Sequence, residues 1–162
     1  MSSSDRRLFM LSLAALAGCG FAPAYGPTGG ALALRGRIGT ADPTDRNAYD
    51  LVARLEERLG RADAPRWRLD YAITTKAIGV GITPANAVTR YNLTGRVDWT
   101  LVLLSDGSVA TEGRADSFTS YSATGSTVAT LAAEADAATR LMQILADQIA
   151  TRLVAIARDL AA

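Results

Sequence analysis

Two long segments of alternating polarity in the middle of the chain restrict its fold more than any other feature. From Trp67 to Ile73, and again from Tyr91 to Leu103, apolar and polar residues largely alternate. A period of two is typical of β-strands that bury one face. Ser105-Asp106-Gly107-Ser108 then predicts a hairpin turn into a third, far more polar strand that reaches about Tyr121.

Two further segments extend the predicted sheet. The first alternating strand is expected to continue to Ile82, with Gly79 and Gly81 indicating a bulge or twist. Near the start of the chain, the apolar and basic segment from Ala31 to Ile38 predicts another short strand. The sheet is therefore expected to have four strands.

Two segments with a helical period complete the pattern. Asp42-Pro43 is expected to open the first helix, as N-cap and first helical residue, and Gly60 to end it. Between them, apolar residues recur at spacings of three and four, at Ala48, Leu51, Val52, Leu55 and Leu59. A second pattern of this kind, with its first apolar position at Leu131, predicts a helix from Ser126 to Ala162 that is longer than a typical helix, so we expect it either to be broken or to begin later.

The order β-α-β-β-β-α predicts an α+β fold. We expect two helices to pack on one face of a four-stranded sheet that is largely antiparallel or mixed. The opposite face would carry the polar residues of the alternating strands, among them Arg90 and Arg96. Such a face is expected to be solvated or to meet a partner.

The composition excludes most common catalytic and metal sites. The 162 residues include no histidine and one cysteine, so a Ser-His-Asp triad, an imidazole metal site and an intramolecular disulfide are all absent. A net charge of +1 gives no reason to expect nucleic-acid binding. Lys76 is the only lysine available as a base for a serine nucleophile, and a Ser-Lys hydrolase stays open as a minor alternative. We therefore expect no enzyme and no metal or small-molecule cofactor.

The first thirty residues have the organisation of a lipoprotein leader and tether. Arg6-Arg7 precede an apolar segment, Leu8–Leu16, that is much shorter than the ~20 residues needed to cross a bilayer. Leu16-Ala17-Gly18-Cys19 matches the lipobox, in which Leu16, Ala17 and Gly18 are recognised by the signal peptidase and Cys19 is acylated. We therefore predict a signal peptide over residues 1–18, a lipidated tether over 19–30 and one domain over 31–162. Either the general secretory or the twin-arginine route would suit this leader.

Arginines provide the candidate contacts for a charged ligand or partner. Arginine outnumbers lysine sixteen to one in this chain. Arg90 and Arg96 share a predicted strand face, and Arg114 lies on the adjacent predicted strand. The guanidinium group suits phosphates and carboxylates, so these three residues are candidate contacts. The alternative is an ordinary solvated surface.

The chain resembles the LptE family of lipopolysaccharide-assembly lipoproteins. The resemblance rests on two segments. Residues 16–26 contain the lipobox, whose cysteine begins the sequence Cys-Gly-Phe-Ala-Pro-Ala-Tyr-Gly, and the second segment extends from Tyr121 to Leu153. It implies a non-enzymatic plug and assembly factor for the outer-membrane β-barrel LptD that helps insert lipopolysaccharide into the outer leaflet and binds this lipid. It also implies a lipid-anchored position on the periplasmic side of the outer membrane, which Gly20 after the cysteine favours. A periplasm-facing structural or adaptor lipoprotein without a lipid ligand is the alternative.

Overall fold

The computed structural model describes residues 30–83 and 87–161. The predicted signal peptide, Cys19 and most of the predicted tether lie outside these residues. Eight elements follow one another along the chain: α1 Gly30–Leu34, β1 Ile38–Thr40, α2 Arg46–Leu59, β2 Trp67–Ile82, β3 Val88–Leu103, β4 Val109–Ser122, α3 Thr127–Ala155 and α4 Ala157–Ala161.

The four strands form one mixed sheet in the order β1-β2-β3-β4. β1 is parallel to β2, and the β2–β3 and β3–β4 pairs are antiparallel. The register shifts between Gly79 and Ile82, which confirms the predicted bulge. The turn between β3 and β4 is also confirmed, with Gly107 at a φ of 74° and the Ser108 N–H donating to Asp106 Oδ1 at 2.9 Å. The predicted α+β fold with a four-stranded mixed sheet is correct.

Both long helices lie on one face of the sheet, as predicted. The odd-numbered residues of β2 and β3 point toward them, and Leu69, Val97 and Leu101 are fully buried there. The apolar stripe of α2 meets this layer, since its five predicted core positions are all buried. The core therefore lies between one face of the sheet and the helix pair.

The beginning of the domain differs from the prediction. The segment Ala31–Ile38 is not a strand: it forms α1, a turn at Gly36, and then β1, which starts at Ile38. Ala31 and Leu34 are buried because they lie on one side of the short helix. A spacing of three residues fits a helical turn as well as the apolar content fits a strand, so the sequence pattern here is ambiguous.

The start of α2 was also predicted three residues too early. Asp45, not Asp42, is the N-cap, with extended backbone and its Oδ1 accepting the Ala48 N–H at 2.8 Å. Gly60 ends the helix as predicted, at a φ of 81°. An N-cap carboxylate stabilises the helix by satisfying an N–H that has no partner within the helix.

The C-terminal helical segment is broken, as one of the two predicted alternatives allows. α3 begins after the N-cap Ser126 and ends at Ala155, and Ile156 separates it from α4. The first turns of α3 do not join the core: Leu131, where the apolar period of the helix begins, is 61% exposed. Burial of the helix begins at Ala137 and continues through Leu141, Met142, Leu145, Ala146, Ile149, Ala150 and Leu153.

Two glycines allow close packing around the sheet. A Cβ at Gly95 would lie 2.8 Å from Leu141 Cδ2, so the missing side chain lets α3 approach β3. A Cβ at Gly113 would lie 2.6 Å from Trp99 Cζ2, since the indole ring covers this glycine on the neighbouring strand. The bulky side chains of the core therefore fill the space that these glycines leave.

Polar contacts join the two long helices at their outer edge. Asp147 of α3 accepts from Arg54 Nε and Nη2, both at 3.0 Å, and lies 3.4 Å from Arg58 Nε. Asp50 of α2 accepts from the Thr139 hydroxyl at 2.8 Å. These hydrogen bonds fix the position of α2 along α3, and the hydrogen bonds from Arg54 to Asp147 also raise the pKa of Arg54.

Candidate interaction surface

The face of the sheet opposite the helices is open, and we call it the outer face. Even-numbered residues of the three long strands lie on it, because the register pairs even with even positions outside the register shifts near Gly79–Ile82 and Leu101–Val102. Two predicted contacts, Arg90 and Arg96, lie on β3, and the third, Arg114, lies on β4; all three are exposed. Their placement on one exposed face agrees with the sequence prediction.

One half of the outer face, next to β1, carries charges that compensate one another. Arg96 Nε donates to Asp116 Oδ1 at 2.7 Å, and Arg114 Nε donates to Asp98 Oδ1 at 2.7 Å. Both pairs cross from β3 to β4 at directly opposed positions. The charged side chains of this charge-paired half comprise three arginines and four carboxylates: Arg68, Arg96, Arg114, Asp70, Asp98, Glu112 and Asp116.

The pairing changes the chemistry of these predicted contacts. The hydrogen bond from Arg96 to Asp116 raises the pKa of this guanidinium, and the bond from Arg68 to Asp70 does the same for Arg68. Exposed ion pairs of this kind contribute little to stability. Their larger effect is on recognition, since an anion that binds Arg96 must compete with a carboxylate already in place.

The other half of the outer face is cationic and partly apolar. Lys76 and Arg90 are exposed there, and neither forms an ion pair with any described residue. Ile78 is 43% exposed and Phe118 is 63% exposed on the same face. Lys76 and Phe118 flank Thr94 on either side, which places them about 10 Å apart, two strand spacings.

This cationic end contains residues that sequence reasoning did not assign to a surface. Of the three predicted arginines, only Arg90 belongs to it. Lys76 was considered only as a catalytic base, and Phe118 and Ile78 were not considered as contacts. The alternation of side chains along β3 is enough to assign Arg90 to the outer face. Assigning Lys76 and Phe118 to the same face requires the register of the neighbouring strands.

The strand register also bears on the Ser-Lys alternative. Ser105 and Ser108 lie in the turn beyond Leu103, which pairs with Trp67 at the other end of β2, roughly 30 Å from Lys76. Lys76 itself is paired with Thr94, and Thr94 with Phe118. In the described sheet, therefore, no serine is directly opposite this lysine.

The described residues contain neither a candidate membrane-spanning helix nor a candidate metal site. In residues 30–83 and 87–161, no helix combines the length and apolar character required to span a membrane. Within the same ranges, no group of three or more cysteine, aspartate or glutamate side chains is arranged to hold a metal ion.

Comparison with protein families gives one match over most of the domain. A family model named LptE, described as lipopolysaccharide-assembly, matches residues 37–153. This range includes all four strands and α2, and it ends at Leu153, within the last turn of α3. A search of curated protein sequences found no match.

Solved structures of bacterial proteins share the fold. A protein of Caulobacter crescentus aligns with a TM-score of 0.69 at 22% identity, covering 80% of this chain and 96% of its own. The rare lipoprotein B of Shewanella oneidensis aligns with a TM-score of 0.60 at 14% identity, covering 78% and 98%. A minor lipoprotein of Acinetobacter baumannii gives 0.55 at 16% identity, covering 74% and 89%. At these identities the likeness shows a common fold.

Proposed function

Because the chain belongs to the LptE family of lipopolysaccharide-assembly proteins, we propose that it binds lipopolysaccharide and partners an LptD-type β-barrel in the outer membrane. In this role it acts as plug and assembly factor, without catalysing a covalent reaction. The observation that carries the lipid-binding part is the cationic end of the outer face, where Lys76 and Arg90 lie beside exposed Phe118 and Ile78.

The chemistry of the cationic end suits the lipid. Lipopolysaccharide presents phosphate groups next to acyl chains, and Lys76 and Arg90 supply cations that no described carboxylate neutralises. Charge-assisted hydrogen bonds to phosphate are roughly twice as strong as neutral ones. Phe118 and Ile78 offer apolar surface beside them. Arg96 and Arg114, which are paired with aspartates, suit the proposed barrel contact better than the lipid contact.

The rest of the outer face suits the interior of a barrel. Membrane barrels line their lumen with polar side chains, and the charge-paired half offers both signs of charge in alternation. Such a surface can bind both positively and negatively charged side chains of the barrel, and its own charges largely cancel.

Direct binding measurements test the lipid-binding part. We expect Lys76→Gln with Arg90→Gln to weaken lipopolysaccharide binding by at least about tenfold, since each charged hydrogen bond contributes about 1.5–3 kcal/mol. Arg96→Gln with Asp116→Asn is the matched control, because it also replaces two charged side chains of the outer face but keeps the net charge. Equal affinity of the two double variants and the wild type would refute the cationic end as the lipid site.

Copurification from outer membranes tests the barrel partnership. We expect a large β-barrel protein to copurify with the tagged full-length chain in a stable ratio. If neither a barrel nor lipopolysaccharide binds the wild-type protein, the adaptor alternative replaces the proposed function. Depletion of the protein should also lower both surface lipopolysaccharide and the level of assembled barrel.

We further propose that Cys19, which lies outside the described residues, carries the lipid anchor. A single acyl chain binds membranes only marginally, with a K on the order of 10⁴ M⁻¹, so stable attachment requires more than one chain. Because Cys19 is the proposed site of acylation, Cys19→Ala should abolish both leader cleavage and membrane attachment. Mass spectrometry of the mature N-terminus measures this directly, and an unmodified Cys19 in the membrane fraction would contradict it.

A further inference from the structure

Beyond its short pairing with β1, strand β2 has a neighbour on one side only among residues 30–83 and 87–161. The pairing with β1 ends at Leu69, whose carbonyl accepts the Ala41 N–H at 3.0 Å. The Leu69 carbonyl thus points away from β3, whereas the Lys76 carbonyl points toward it and accepts the Thr94 hydroxyl at 3.0 Å. Because backbone groups alternate in direction along a strand, the odd-numbered residues from Tyr71 to Ala77 point their N–H and C=O groups outward.

The opposite edge of the sheet is partly covered, which makes the β2 edge distinctive. On β4, the outward carbonyls of Arg114 and Asp116 accept hydrogen bonds from Arg152 at 2.9 Å and from Gln148 at 3.3 Å, both on α3. Along β2 from Thr74 to Val80, in contrast, every residue is exposed. The protection that remains on this edge is one lysine and the glycine bulge, which are common safeguards of edge strands.

The chain also leaves room beside this edge. β1 ends at Thr40, and Pro43, which has no N–H, cannot continue a ladder along β2. The Tyr71 hydroxyl donates to the Ala41 carbonyl at 3.2 Å and closes the space at that end. An added strand would therefore begin beside Tyr71 and run toward Ala77.

We propose that the β2 edge from Tyr71 to Ala77 accepts an extended segment of the barrel partner as a fifth strand. This inference rests on the proposed function. Closed barrels leave no free strand edges, so the segment belongs to a loop or terminal segment of the barrel chain and not to its wall. Strand addition of this kind draws affinity from main-chain hydrogen bonds and specificity from alternate side chains.

The side chains beside the edge define the chemistry of the segment. Tyr71 and Ile73 are half-buried on the helix side, so an apolar residue of the segment fits next to them. Lys76 lies on the outer face without an ion-pair partner among the described residues, so a basic residue of the segment is disfavoured next to it. A second copy of this chain fits less well, because pairing two β2 edges about Thr75 places each Lys76 opposite a Thr74, near the other lysine.

Hydrogen exchange of the wild-type complex tests the proposal without any substitution. In the free protein, the amides of Ile73 and Thr75 should exchange rapidly because they point outward, and those of Thr74 and Lys76 should be protected by β3. In the complex with the barrel, the outward amides should slow by at least about tenfold, while the inward amides change little. Unchanged exchange at Ile73 and Thr75 in a complex that has formed would overturn the proposal.

A proline at an outward position provides the second test. Thr75→Pro removes an outward N–H without removing a bond to β3, a position where edge strands tolerate proline. Thr75→Ala is the matched control, because it removes the same side chain but keeps the N–H. We expect Thr75→Pro to weaken barrel binding at least about tenfold relative to Thr75→Ala, with circular dichroism confirming that both fold.

The outcomes separate this inference from the proposed function. If the wild-type chain binds no barrel, the proposed function fails, and this inference fails with it. If the wild type binds the barrel and the folded Thr75→Pro variant binds it as tightly as Thr75→Ala does, only the strand addition is refuted. Dimerisation of the isolated wild-type chain that Thr75→Pro abolishes would assign the edge to a second copy and likewise refute it.

Discussion

Replacing Gly95 with alanine should destabilise the domain, although the same change in an open strand would stabilise it. An added Cβ would lie 2.8 Å from Leu141 Cδ2 and 3.1 Å from both Leu141 Cγ and Leu145 Cδ1. Both leucines are fully buried, so they have little room to move. Overpacking of this kind costs about 1–3 kcal/mol, and the lower backbone flexibility of alanine returns about 0.5–1 kcal/mol. We expect a net loss in the free energy of unfolding that is centred on about 1 kcal/mol and reaches about 2.5 kcal/mol at most.

Urea denaturation measures this loss, and a double-mutant cycle assigns its cause. The midpoint should fall without a change in the m-value. Leu141→Ala alone should cost about 2–5 kcal/mol because it leaves a cavity. In the double variant the new methyl group at position 95 occupies part of that cavity, so its cost should be smaller than the sum by at least about 0.5 kcal/mol. A Gly95→Ala protein as stable as the wild type, or strictly additive costs, would show that α3 does not press on β3 here.

Three further changes should have measurable effects. Leu145→Ala should lower the free energy of unfolding by about 2–5 kcal/mol in urea denaturation, since this side chain of α3 is fully buried. An unchanged midpoint would contradict the register of the helix. Asp147→Asn should cost up to about 1 kcal/mol in thermal unfolding, because it weakens the contacts of Arg54 and Arg58; the loss should shrink in high salt. Hydrogen bonds from Ser108 lower the pKa of Asp106, so the ionised carboxylate should stabilise the fold above its unfolded-state pKa, and this stabilisation should disappear as the pH falls through the folded-state pKa. Asp106→Asn should therefore flatten the acid limb of a pH–stability curve. An identical acid limb in the variant would disprove this.

The strands and their buried faces follow from the sequence because their polarity alternates over many residues. Along β2 and β3, shifting the pattern by one position would move Leu69 and Val97 from the core to the solvent, so only one assignment of faces is possible. The long α2 pattern was equally clear. Sequence reasoning therefore predicted the sheet, the helix pair and the open outer face.

Short segments with several equivalent residues could not be resolved in this way. Asp42 and Asp45 can each cap a helix, and the choice depends on which carboxylate reaches a free N–H in the folded chain. Ala31 and Leu34 fit either a strand or one turn of helix. Leu131 belongs to the apolar period of α3 but is exposed, because the burial of α3 begins only at Ala137, and where burial begins is a property of tertiary structure.

The candidate site was predicted at the level of the face and not of the individual charges. The compensation of Arg96 by Asp116 and of Arg114 by Asp98 depends on which residues are opposite one another in β3 and β4. A shift of the register near Leu101 and Val102 contributes to that alignment. The unpaired cations Lys76 and Arg90 belong to different strands, so only the paired sheet shows that they share a surface.

The small extent of β1 has a mechanical consequence. β1 pairs with β2 through three residues, and α1 packs mainly on the short terminal helix α4, whereas the three long strands hold one another along most of their length. In a chain pulled from its N-terminus, residues 30–45 are expected to detach before the longer pairing of β2 with β3 is broken. Once extended, they supply about 50 Å of slack at about 3.3 Å per residue. Under tension, the first segment of the domain would thus extend before the pairing of the three long strands is broken.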